Sequence, residues 1–341
     1  MPDATLLYHP TMLKRTLGRT GLQVSEVALG GLYTSSLGGG LDNARRIVER
    51  AVQLGINYID TAPRYADSEE TLGHVLPSIK SPLILSTKLG GRPEPFDPKN
   101  RDGLMWSIEE SLKLLKRDVI DVLMIHEPDR PQLFNWWDDP FKVTGPVIEV
   151  IQELKEDGVI RFAGLGGTTV TQLAHLMRSG HFDVVLTAFN YSLLFREAEN
   201  DIFPAARDMN MGVIVGSSLQ QGGLGRRYDE VVRSKPPWMS RPRQQQLLAL
   251  YDFLDETNQE LPELALRFAL SNPAVHSVLI GPKSAEQVEQ SVVAASRGPL
   301  APDVLGRLDE IWQICPMRPF EEPMIWPFKS NYFGPGMANH G

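Results

Sequence analysis

The chain has 341 residues, with 42 acidic against 34 basic side chains and a formal net charge of −8. That balance argues against a partner such as nucleic acid or an anionic membrane, which would need a basic face. Hydrophobic residues at 42% and charged ones at 22% fit a folded globule, and one cysteine, Cys315, leaves no disulfide framework or multi-cysteine zinc site. No apolar run nears the roughly 20 residues that cross a bilayer, and no secretory signal is visible, so a cytoplasmic protein is expected.

In chain order, a segment alternating in polarity around Gly18 and Gly21 reads as a hairpin over 14–26. Short apolar runs follow at 27–30, 57–59, 83–86, 120–125, 160–164, 184–187, 212–216 and 277–281. Their branched residues suit parallel strands buried on both faces. Between them lie helices with legible ends. Asp42 is placed to cap a helix that Gly55 stops, and Asp102 to open one over 105–115. Pro146 opens 147–156 with Gly158 closing it, Thr169 caps 173–177, and Ser284 with Gln287 forms a capping box.

Eight strand-then-helix units predict a (β/α)8 barrel, a TIM barrel, in a single domain over 1–341. Long loops are expected after its fourth and seventh strands. The tail, 316–341, is too rich in proline for a helix and too apolar to dangle, so it should fold over the mouth. The rival doubly wound dinucleotide fold lacks its G-x-G-x-x-G fingerprint.

Reactive groups of such barrels sit at the carboxyl ends of the strands. Successive strands end in Asp60, Lys88 and His126, and Tyr65 stands in the loop after Asp60. An unperturbed tyrosine, with a pKa of about 10, is a poor proton donor and acceptor near neutrality. A lysine ammonium nearby favours the phenolate, and a carboxylate keeps that lysine charged and oriented. The histidine can donate a hydrogen bond to a substrate oxygen. A barrel aldolase with Lys88 as Schiff-base nucleophile is the rival chemistry, and pairing with Asp60 argues against it.

Gly55-Ile-Asn-Tyr-Ile-Asp60-Thr-Ala-Pro-Arg-Tyr65, Ser86-Thr-Lys88, Ile125-His126 and Gly158-Val-Ile-Arg-Phe-Ala-Gly164 resemble the aldo-keto reductase family, from about Lys14 to about Arg297. Within it, 143–194 is similar to the sugar-oxidising branch. The resemblance implies Tyr65 as general acid/base, Lys88 and Asp60 as its tuning pair, and His126 orienting the substrate oxygen. It also implies NADP or NAD lying across the mouth. A redox-sensing, coenzyme-binding subunit with little turnover is the alternative, given the glycines at the nicotinamide end.

Family pattern and residue chemistry together place the coenzyme along three segments. Gly166, Gly167 and Asn190 stand at the nicotinamide end, where many relatives carry Ser-Asn and a glutamine. Ser217, Leu219, Gly223 and Arg226 belong to a glycine-rich loop followed by basic residues, suited to a pyrophosphate. Gly281, Lys283, Ser284 and Gln287 match the adenosine end. Tyr33, Trp136, Trp137 and Trp326 are expected to rim a substrate site for a small carbonyl compound or sugar. No metal site is expected, and the sequence leaves the oligomeric state open.

Overall fold

A computed structural model describes residues 12–319 and 322–328. A two-stranded antiparallel hairpin, β1 (Lys14–Thr16) and β2 (Gln23–Ser25), precedes a closed parallel barrel. The barrel strands are β3 (Val27–Gly30), β4 (Tyr58–Asp60), β5 (Ile84–Leu89), β6 (Ile120–His126), β7 (Ile160–Gly167), β8 (Val184–Ala188), β9 (Gly212–Gly216) and β10 (Ser277–Ile280), which returns to β3. Around them lie α1 (Gly40–Gln53), α2 (Ser68–Val75), α3 (Arg101–Leu115), α4 (Pro146–Glu156), α5 (Val170–Met177) and α6 (Ile202–Asp208). The long unit after β9 holds α7 (Asp229–Ser234), α8 (Arg241–Thr257) and α9 (Leu261–Ser271), and α10 (Ala285–Ser296) and α11 (Pro302–Gln313) complete the ring.

Side chains alternate along each strand, so two cores form. Inside the barrel, Ala28, Tyr58, Val122, Met124, Val184 and Ile214 pack on the hairpin's Leu17, Leu22 and Val24. The hairpin thereby plugs the amino end, and Arg19 fastens it to the Asp183 carboxylate at 3.0 Å and the Phe182 carbonyl at 2.6 Å. The other core lies between strands and helices, with Ile47, Leu72, Ile108 and Ile151 among its buried members.

Several expected strands continue further toward the mouth than their apolar runs suggest. Asp60 pairs in register with Ser86, Lys88 with Met124 and His126 with Gly166, so these polar residues, just past the apolar runs, belong to the strand ends as expected. Burial and ladder bonding extend the strands where polarity alone predicts a stop.

Helix starts differ in detail. The cap of α1 is Gly39 and Asp42 lies inside the first turn; the cap of α3 is Asn100, whose side chain accepts from the Gly103 N–H at 3.0 Å. Both acidic residues still complement the helix dipole from the first turn. Pro146 begins α4, and Ser284 caps α10 by accepting from the Gln287 N–H at 3.4 Å. Thr169 precedes α5, but its hydroxyl donates to Asp129 Oδ2 at 2.6 Å, and that carboxylate also accepts from the Thr168 and Thr169 N–H groups at 2.9 and 2.5 Å. Asp129, from the loop after β6, thus anchors the two residues that lead into α5 rather than capping the helix itself.

The described part of the tail packs on the unit after β9. Trp326 is buried against Phe195 and Trp238, and its indole N–H donates to Glu322 at 2.6 Å. Glu322 in turn pairs with Arg243 at 2.9 Å, both side chains fully enclosed. Residues 320, 321 and 329–341 of the expected tail lie outside the described residues. No helix among the described residues is long and apolar enough to cross a membrane.

Candidate active site

The ends of β4, β5 and β6 bring Asp60, Lys88 and His126 to one sector of the mouth, and the turn after β4 carries Tyr65 to the same place. Lys88 is buried, with its ammonium 2.6 Å from Asp60 Oδ2 and 2.8 Å from the Thr61 carbonyl. Ser86 donates to Asp60 Oδ1 at 3.0 Å, so both carboxylate oxygens have donors. The Lys88 ammonium stands 4.7 Å from the centre of the Tyr65 ring, and the His126 ring meets that phenol edge-on at 5.9 Å between centres.

Burial alone would press Lys88 toward its neutral form. The Asp60 carboxylate and then the Tyr65 phenol outweigh that effect, and the ammonium is held above its usual pKa. A permanently protonated lysine is a poor Schiff-base nucleophile, which removes the basis for the aldolase chemistry. The Tyr65 phenol is raised from its usual value: burial dominates, and the lowering by Lys88 offsets only part of it. The sequence expectation named the lysine's lowering effect and did not weigh burial against it. In the chain alone the phenol therefore holds its proton, and an additional positive charge at the mouth would move it toward release.

The other side of the mouth is built differently. A Cβ on Gly166 would meet nothing nearer than Lys88 Cε at 3.6 Å, an ordinary contact, so packing alone does not require glycine beside the lysine. Gly167 faces the helices instead, where a Cβ would fall 2.2 Å from Asp129 Oδ1 and 2.9 Å from Leu173. Its lack of a side chain is a packing requirement of β7 against α5. Asn190 is buried and donates to Thr187 Oγ1 at 2.9 Å.

The loop after β9 is shaped by left-handed backbone at Ser217, Gln220, Gln221 and Gly222. The Leu219 carbonyl accepts from the Gly222 and Leu224 N–H groups at 3.0 Å each, closing the turn on itself. Gly223 lies beneath Trp326, whose ring would be 2.8 Å from a Cβ there. Of the basic residues that follow, Arg227 is paired with Asp229 and Asp255, and Arg243 is enclosed. Arg226 stays exposed, over the Tyr228 ring at 4.7 Å.

At β10 the structure groups Gly281, Lys283, Ser284 and Gln287 with Tyr33. The Lys283 ammonium lies over the Tyr33 ring at 4.5 Å, and a Cβ on Gly281 would touch that ring at 3.4 Å. The Gln287 side chain accepts from the Lys283 N–H at 2.7 Å. Tyr33 therefore stands with the proposed adenosine end rather than with the tryptophans. Trp136 and Trp137 are both buried, donating to the His126 carbonyl at 3.1 Å and the Pro128 carbonyl at 2.9 Å, and Trp326 is buried as described. Trp136 thus braces the end of β6 that carries His126.

Sequence reasoning passed over three residues. Asp129 builds the start of α5 from a distance, and no local pattern announces that. Glu127 has left-handed backbone directly after His126, and its carboxyl is raised by burial and then by Asp129. Phe134, in the same aromatic run as Trp136, lies 3.4 Å from the Cβ position of Gly90, which is itself 3.1 Å from His126 Cβ.

Known proteins are similar to this chain over most of its length. L-galactose dehydrogenase of Arabidopsis thaliana is 31% identical over 83% of this chain and 88% of its own length. D-threo-aldose 1-dehydrogenase of a Pseudomonas species is 26% identical over 75% of this chain and 84% of its own. An aldo-keto reductase of Bacillus halodurans, solved in its holo form, superposes with a TM-score of 0.70 at 28% identity, over 88% of this chain and 96% of that one. The sequence pattern described as Aldo/keto reductase family matches residues 31–313, and the chain belongs to that family.

Proposed function

We propose that the chain is an NAD(P)-dependent oxidoreductase acting between a small carbonyl compound and its alcohol, a sugar or related polyhydroxy compound, with Tyr65 as general acid/base. The observation that carries this reading is the enclosed Asp60–Lys88 pair lying 4.7 Å beneath the Tyr65 ring. Membership of the family supports the oxidoreductase class, and the two relatives that are sugar dehydrogenases by name support the substrate class.

The residues at the mouth fit a nicotinamide coenzyme. Gly166 leaves space where a Cβ would otherwise stand in front of Lys88, which suits a flat ring. Gly167 and Asn190 support that end, Ser217, Leu219, Gly223 and Arg226 take the diphosphate, and Gly281, Lys283, Ser284 and Gln287 take the adenosine end, with Tyr33 alongside. The bound coenzyme would supply or accept the hydride.

The protein's part is the proton. In reduction, Tyr65 Oη gives its proton to the substrate oxygen, and the Lys88 ammonium stabilises the phenolate left behind. Asp60 keeps that ammonium charged, and the Thr61 carbonyl fixes its direction. His126, edge-on to the phenol, orients the oxygen. In oxidation the same groups take the proton back. A positioned acid of this kind contributes roughly 10²–10⁴-fold to rate.

Tyr65→Phe tests the reading. Steady-state turnover should fall by about 10³-fold, while NADH and NADPH affinities, read from tryptophan fluorescence, stay within about threefold of native. Native-like turnover in that variant would overturn the proposal.

A further inference from the structure

We infer that the substrate carries a carboxylate, and that Arg64 is the residue that receives it. This deepens the hydride-transfer reading and rests on it for the position of the reacting carbonyl. The loops after β4, β5 and β6 contain three arginines, Arg64, Arg92 and Arg130. Arg92 is tied to Glu69 at 2.9 Å and Arg130 to Glu127 at 3.6 Å. Arg64 is exposed, and no carboxylate among the described residues pairs with it.

Its placement is nonetheless fixed. The stem lies on Gly91, where a Cβ would come within 2.6 Å of Arg64 Cγ, so only glycine leaves it room. The guanidinium rests over the Phe134 ring at 5.4 Å. Phe134 and His126 both border Gly90, at 3.4 and 3.1 Å from its Cβ position. Arg64 also directly precedes Tyr65 in the chain. A cation held on an aromatic face beside the proton donor, with its fork unpaired among the described residues, is arranged for an anion at the far end of a small substrate. One fork matches one monoanionic carboxylate, whereas a phosphate, with its second charge, calls for more donors than one fork supplies.

The test compares 4-carboxybenzaldehyde with its neutral isostere 4-formylbenzamide. Dissociation constants are measured by fluorescence on the coenzyme complex of the Tyr65→Phe protein, where neither probe is consumed. The carboxylate should bind about fivefold or more tightly than the amide, and Arg64→Gln in the same background should bring the ratio to within about twofold of one. The preference should also shrink as salt is raised. A ratio near one with Arg64 present, or an unchanged ratio in Arg64→Gln, overturns the assignment, as does tighter binding of a doubly charged phosphonate analogue. Because the ratio needs no turnover, its failure is distinct from failure of the acid/base reading, which would show as turnover by Tyr65→Phe.

Discussion

The two halves of the barrel mouth are built from opposite materials. At the ends of β4, β5 and β6 stand ionisable side chains, enclosed and bonded to one another: Lys88 is 2% exposed and Asp60 1%. At the ends of β7, β8 and β9 the same strand positions hold Gly166, Gly167, Ala188 and Gly216. One half fixes charge in place at a cost in desolvation; the other carries no charge, and of its glycines Gly166 has no neighbour nearer than 3.6 Å to a Cβ position while Gly167 is tightly packed. A reaction that needs a flat ring beside a rigid proton donor would use both, and the chain separates them around the rim.

The largest effect is expected from breaking the charged half. Lys88→Met leaves Asp60 buried without its cation and should lower stability by about 3–5 kcal/mol, read by chemical denaturation. Adding Asp60→Asn should return part of that stability but none of the lost hydride-transfer rate. Recovery of rate in the double variant would show that the pair serves folding alone.

The glycine half can be divided by two single substitutions. Gly167→Ala forces a methyl onto Asp129 and Leu173 and should cost about 1–3 kcal/mol of stability. Gly166→Ala meets only ordinary contacts, so stability should stay within about 1 kcal/mol of native. Its penalty should fall on coenzyme affinity, seen in a fluorescence titration. Equal stability losses at both positions would mean that Gly166, too, is only a packing residue.

The barrel was legible from the sequence because its strands are buried on both faces and its helices carry glycine and proline at their ends. Where strands ended was less legible. The apolar runs stop one or two residues short of Asp60, Lys88 and His126, and the pairing of neighbouring strands is what carries the ladder through them. The charged half of the site could be read because three strand ends in succession carry an ionisable group. The aromatic residues could not be sorted by type: Trp136 braces His126 through its indole N–H, and Tyr33 meets Lys283 from across the closure of β10 on β3. Nothing local distinguishes these from substrate-lining rings. The basic stretch after β9 likewise gave no hint that Arg243 would turn inward to Glu322, because its partner lies far along the chain.

The pH dependence of single-turnover hydride transfer, followed in both directions, tests the central claim most directly. With burial raising Tyr65 above its usual pKa, reduction should be level through neutrality and fall only where the phenol at last loses its proton, beyond the ordinary tyrosine range. Oxidation, which needs the phenolate, should climb as pH rises, starting at lower pH because the oxidised nicotinamide's positive charge favours the phenolate. Both limbs should vanish in Tyr65→Phe, and limbs of unchanged position and slope in that variant would show that the proton comes from elsewhere.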